Sequence, residues 1–137
     1  MLQIKKRKDS KLGIRFMSTI CFYQDSRHTK PLQWFRDVLG IGYLSKRNDG
    51  MSELRINGFT QVRKILESLL PYLRFKKIQG NAMYEATSIL EQKSSMKLSQ
   101  KELEKLVELI ETIQNENYVA RRKKTKVELQ TMLGLTP

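Results

Sequence analysis

Any chemistry this chain performs has to be built from arginines, lysines and carboxylates, because Cys21 is its sole cysteine and His28 its sole histidine. An internal disulfide is impossible, and two such residues cannot complete a Cys/His zinc site. What remains is carboxylate and lysine chemistry around a hard cation, or recognition of a negatively charged partner by the basic excess. Lys and Arg number 26 against 14 Asp and Glu, a net charge of +12, and nucleic acid is the default counterpart of a small basic globular chain. Placement says more than the sum. Segment 1–30 carries Lys5, Lys6, Arg7, Lys8, Lys11, Arg15, Arg27 and Lys30 against only Asp9 and Asp25. Read as strands, the stretches around these residues put Gln3, Lys5, Arg7, Arg15, Thr19, Ser45, Arg47, Glu53 and Arg55 on one sheet face, with Met17 and Cys21 interleaved. Arg, Gln, Thr, Ser and Glu are the types that read base edges, and a two-stranded ribbon fits the major groove. A merely solvated face would mix signs, whereas here only Glu53 is acidic. A second run, Arg121-Arg122-Lys123-Lys124 with Thr125, suits phosphate contacts that position a duplex without reading it. A third, Arg74, Lys76 and Lys77, sits at an expected helix start, where lysines are unfavourable unless an anion is bound.

The elements that must hold these residues are legible from periodicity. Residues 2–8 alternate loosely, and Asp9 to Gly13 reads as a turn. Ile14, Phe16, Ser18, Ile20 and Phe22 then face one way, and Arg15, Met17, Thr19, Cys21 and Tyr23 the other. The two strands form a hairpin with one apolar face, as expected of a sheet covered by helices on one side. Lys30 to Leu39 turns helical, with Pro31 in its first turn and Gly40 and Gly42 ending it. Tyr43–Arg47 and Met51–Ile56 form a second hairpin around Asn48-Asp49-Gly50. Helices follow over Phe59–Leu70, stopped by Pro71, and over about Lys77–Glu91. A capping box, Ser99-Gln100-Lys101-Glu102, opens another with Leu103, Leu106, Val107, Ile110 and Ile113 on its buried stripe. A short helix closes the chain before Gly134. With 137 residues and no repeat or linker, one domain over 1–137 is expected. Its class is α+β: a four-stranded antiparallel, saddle-like sheet of two hairpins with helices on one face. Trp34 and Tyr43 are read as core or core-margin residues, and His28 as surface. No membrane partner is expected, since no apolar run approaches the roughly 18 residues of a span.

Several segments carry a family resemblance. Phe22-Tyr23-Gln24-Asp25, Leu39-Gly40-Ile41-Gly42-Tyr43 and, most specifically, Leu70-Pro71-Tyr72-Leu73-Arg74-Phe75-Lys76-Lys77-Ile78-Gln79 followed by Gly80-Asn81 resemble the single-motif branch of the LAGLIDADG homing endonucleases. The basic tail from Arg121 to Leu135 is similar too, so the resemblance runs over nearly the whole chain. It implies a saddle seated on double-stranded DNA, cut on both strands at a long target with a divalent ion, Mg2+, activating water. It implies that Gln24 and Lys76 lie near the scissile phosphate, and gives His28 a catalytic position where relatives carry Arg. In that family the metal carboxylate and the dimer interface belong to a signature helix before the first strand. No Gly-x-x-Asp-Gly-type segment occurs here, and neither Asp25 nor Asp37 has the required context. The resemblance therefore implies an N-terminally incomplete unit with no metal ligand of its own. That unit would work as a homodimer or with a complementary subunit supplying the helix, with exposed apolar surface where the helix packs. An organelle (chloroplast or mitochondrion) or a prokaryotic cytoplasm is its implied setting. The alternative is an RNA-binding intron maturase, a splicing factor that binds intron RNA and needs no catalytic carboxylate.

Overall fold

A computed structural model describes residues 1–9, 13–93, 97–117 and 123–136. The chain runs β1 (Leu2–Lys6), β2 (Ile14–Asp25), a 3-10 turn at Ser26–His28, α1 (Lys30–Leu39), β3 (Tyr43–Lys46), β4 (Met51–Asn57), α2 (Phe59–Leu69), a second 3-10 turn at Leu70–Tyr72, α3 (Lys77–Gln92), α4 (Gln100–Asn115) and α5 (Lys126–Met132). The four strands form one antiparallel sheet in the order β1-β2-β4-β3. Two hairpins thus meet along their long strands, and β1 and β3 are left as edges. The fold is α+β, as the alternation predicts.

Register follows from the apolar set. Ile4 pairs with Phe16, Ile20 with Ile56 and Phe22 with Leu54, so one face collects Phe16, Ile20 and Phe22 of β2 with Leu54 and Ile56 of β4. A slip of one residue would turn that whole set to solvent. Phe16, Leu54 and Ile56 are fully buried, together with Val62 of α2 and Leu106, Val107 and Ile110 of α4. Each such side chain contributes about 1.5–3 kcal/mol on leaving water, which fixes the helices over this face. Leu2 and Ile4 lie in the same core with Ile113 and Leu129.

Local signals act where the sequence places them. Gly40 caps α1 in the left-handed region, its N–H reaching Arg36 O. Gly42, at φ +96°, lies so close to Ile56 and the Arg55 carbonyl that a Cβ would stand 2.9 Å from Ile56 Cγ1 and 3.1 Å from that oxygen. Ser99 and Glu102 form the expected capping box at α4, and Thr125 with Glu128 forms another at α5. Two expectations fail here. Trp34 is 65% exposed, with only Phe35 beside it turned inward against Phe22 (ring centroids 4.7 Å apart, interplanar angle 79°). Tyr43 is 49% exposed, because its parity on edge strand β3 puts it on the side away from the helices.

Candidate nucleic-acid interface

The sheet face away from the helices is assembled by register. Gln3 lies opposite Met17, Lys5 opposite Arg15, Cys21 opposite Arg55, Tyr23 opposite Glu53, and Ser45 and Tyr43 opposite Glu53 and Arg55. Thr19 donates from Oγ1 to Asn57 Oδ1 at 2.8 Å. Arg47, one residue past β3, sits with its guanidinium carbon 5.4 Å from the centroid of the Tyr23 ring, which places it on the same face. Arg7 continues the β1 parity, and its backbone N–H donates to Gly13 O at 2.8 Å across the hairpin end. The eleven sheet-face residues named from sequence, Gln3, Lys5, Arg7, Arg15, Met17, Thr19, Cys21, Ser45, Arg47, Glu53 and Arg55, therefore share one surface. Tyr23, Tyr43 and Asn57 join it. They are found by the same period-two reading once aromatic and Asn side chains are allowed as groove-facing groups.

Three arginines on this face pair with carboxylates two residues away in sequence. Arg7 pairs with Asp9 at 2.6 Å, Arg47 with Asp49 at 2.9 Å and Arg55 with Glu53 at 2.6 Å. The first two pairs are exposed on both sides and worth little. Glu53 is different: its side chain is 5% exposed, and it also accepts from Ser45 Oγ at 3.2 Å. Burial works against the Arg55 charge, but Glu53, Cys21 and Tyr43 outweigh it and leave the guanidinium pKa raised. Partial burial, a hydrogen bond with Cys21 and the Glu53 charge push the Tyr23 hydroxyl up, with Arg47 opposing. The Arg7 guanidinium holds Asp9 at about 2, and Arg27 holds Asp25 at about 2.

The three residues given catalytic positions by the resemblance are not gathered in one place. Lys76 acts electrostatically on the Met1 amino group, and that group donates to Thr19 O at 2.6 Å. Gln24 is five residues further along β2, roughly 16 Å at about 3.3 Å per residue, and its parity is that of Phe22, the helix side. His28 is exposed in the following 3-10 turn. Lys76 has one distinctive property: at φ 60° and ψ 24° it is a left-handed non-glycine residue at the N-cap of α3, a conformation that costs about 1–2 kcal/mol. Gln79 beside it is buried and donates to Asn117 Oδ1 at 3.1 Å.

The C-terminal basic run divides. Arg122, like Arg121, lies outside the described residues. Lys123 Nζ reaches Asn115 O at 3.4 Å. Lys124 is engaged inside the molecule, its Nζ donating to Ile4 O at 3.1 Å and its backbone N–H to Gln114 Oε1 at 2.8 Å. Thr125 is the N-cap of α5. Among the described residues, no group of three or more His, Cys, Asp or Glu could hold a metal ion. No described helix is long and apolar enough to cross a membrane.

No protein-family model matches the chain. DNA endonuclease I-CvuI of Chlorella vulgaris is 35% identical over 83 residues, which are 61% of this chain and 52% of that protein; the match thus spans about half the length of that curated relative. A crystal structure of I-CvuI with target DNA in 2 mM Mg, in which the DNA is not cleaved, superposes with a TM-score of 0.78 at 25% identity over 99% of this chain and 86% of that one. The chain is thus similar to a homing endonuclease in sequence and shares the homing-endonuclease fold. An archaeal homing endonuclease on DNA, I-Vdi141I, shares the fold (TM-score 0.80, 20% identity, 97% and 84% covered). So does the LAGLIDADG homing endonuclease I-SmaMI on cleaved DNA (TM-score 0.75, 20% identity, 98% of this chain and 43% of that one). The shared surface of the two hairpins is the candidate interface, and nothing in these comparisons favours the RNA-binding alternative.

Proposed function

We propose that the chain is the DNA-binding unit of a homing endonuclease, laying the open face of its two hairpins into the major groove of a long duplex target. The observation that carries this is the register: it gathers Gln3, Lys5, Arg15, Arg47 and Arg55 on one face of a chain of net charge +12. Arginine and glutamine side chains at strand spacing match base edges, and lysines at the margin neutralise phosphate. Thr19, Met17 and Cys21 sit along the central strand between the charged groups, where they suit apolar or hydroxyl contacts to thymine methyls and base edges. Lys123 remains for phosphate, while Lys124 and Thr125 serve mainly to anchor α5.

Strand hydrolysis is a second layer of the same reading. Structures of the relative I-CvuI on DNA hold 2 mM Mg or 2 mM Ca, and in this family a divalent ion supplies the activated water. The described residues bring no group of three or more His, Cys, Asp or Glu ligands together, and the carboxylates for the ion are assigned to a complementary subunit. Lys76, in its left-handed N-cap, is the residue on this chain assigned to the reacting phosphate. The test is direct. The purified 137-residue chain, titrated with a pool of random duplexes, is expected to bind with an affinity that falls steeply with salt, about 0.9 log unit per log unit of salt for each phosphate neutralised. In Mg2+ it is expected to leave both strands intact. Salt-insensitive binding would overturn the groove assignment, and clean magnesium-dependent cutting would overturn the assignment of the metal ligands elsewhere.

A further inference from the structure

One carboxylate on the open face is out of place if that face only reads DNA. Glu53 is central in the sheet, flanked by Tyr23 on β2 and Ser45 on β3, and it is 96% buried, being 4% exposed. A side chain so enclosed cannot approach a cytosine amino group to hydrogen-bond distance. Its Oε1 takes Arg55 at 2.6 Å and Ser45 Oγ at 3.2 Å, while its Oε2 and the Arg55 Nε, both buried, have no hydrogen-bond partner. A buried acceptor and donor left open are costly, and a native structure tolerates them where a function needs the arrangement. The Arg55 side chain is still 40% exposed, so one end of it is fixed and the other faces the groove. By contrast, Arg7 and Arg47 are tied to carboxylates 66% and 49% exposed, pairs that do little to restrict a long side chain.

We propose that Glu53 is a positioning residue and not a base reader: with Ser45 it fixes the Arg55 guanidinium, so that Arg55 selects one guanine in the major groove. This rests on the DNA-binding reading above. A guanidinium reads guanine through two parallel donors to O6 and N7, and holding its plane in advance removes the rotamer freedom that would otherwise be lost on binding. Glu53 thereby converts a general attraction for phosphate into discrimination at a single base pair. A fully exposed arginine on the same strand would bind many sequences nearly alike.

Selection from a random duplex pool by the full chain and its variants tests this. The wild type is expected to show a guanine column, with a preference of roughly 5- to 100-fold, that Arg55→Ala abolishes. Glu53→Gln, isosteric and uncharged, is expected to lose most of the preference in that same column and no other. The double variant should be no worse than Arg55→Ala alone, since the two act through one contact. Glu53→Gln keeping the column, losing a different one, or blurring every column equally would each overturn the proposal. Should circular dichroism show Glu53→Gln unfolded, Ser45→Ala decides instead: partial loss in the Arg55 column supports the assignment, and an unchanged column overturns it. If the wild type enriches no duplex at all, the DNA-binding reading itself fails, a result seen before any variant is compared.

Discussion

Individual residues on the open face fall into two groups with different expected behaviour. Arg47 and Arg55 face the groove from just past β3 and from β4, and replacing either with Ala should relax preference at its own base pair at a cost of about 1–3 kcal/mol at the preferred site. Selection profiles of the two variants should differ by column; identical profiles would show that neither is a reader. Gly42 makes the clearest prediction about stability. Its φ of +96° and its approach to the Arg55 carbonyl leave Ala both conformationally strained and crowded, so Gly42→Ala should destabilise by roughly 1–3 kcal/mol, read as a lower urea midpoint. Most groove residues were legible from alternation alone, because strand parity is a strict property of the backbone. Tyr43 and Trp34 were misread because hydrophobicity says a ring prefers burial, whereas exposure is decided by which edge or helix flank the residue occupies. The role of Glu53 was equally hidden: no single-strand pattern reveals that Tyr23 and Ser45 on neighbouring strands would close over it.

Among the elements, helix α4 shows how far local signals carry. Its capping box was visible in the sequence, and the structure adds a partner that sequence spacing could not supply: Lys93 Nζ, 2.7 Å from Glu102 Oε1. That lysine together with the Ser99 backbone and hydroxyl groups holds the Glu102 carboxyl at about 2, against an ordinary 4.5. Because the folded value is depressed, the stabilisation is fully present above the ordinary value and is lost as pH falls from about 4.5 to about 2. Glu102→Gln should therefore flatten the fall in the urea midpoint over that window, while changing little of its shape at higher pH. The strands β1 and β2 and the helices α1 to α4 all match the periodic reading closely. What periodicity missed was the linkage between distant elements. Lys124, counted in the sequence as one of a basic run, donates to Ile4 O across 120 residues, and Lys124→Ala should cost about 1 kcal/mol of stability with little effect on the salt dependence of binding. Lys123→Ala should do the opposite, lowering the salt slope by about one unit and leaving the unfolding midpoint in place.

For the molecule taken whole, charge and fold are separable. The net charge of +12 governs encounter with a polyanion, while the apolar face of the sheet and the stripes of α2, α3 and α4 govern folding, and the two occupy opposite sides of one sheet. The resemblance to homing endonucleases was readable from short segments, most of all the stretch from Leu70 to Asn81. The likeness to I-CvuI extends over 99% of the chain in three dimensions but only 61% in sequence, because helix stripes tolerate many apolar combinations. The contact between Lys124 and β1 has one more consequence, for synthesis on the ribosome. Strand β1 is an edge strand, and an edge with open backbone groups invites pairing with another chain. The group that covers its Ile4 carbonyl is made 120 residues later. A nascent chain halted just short of residue 124 therefore carries an unguarded strand throughout its wait, and should aggregate or recruit holdase chaperones more readily than one released past it.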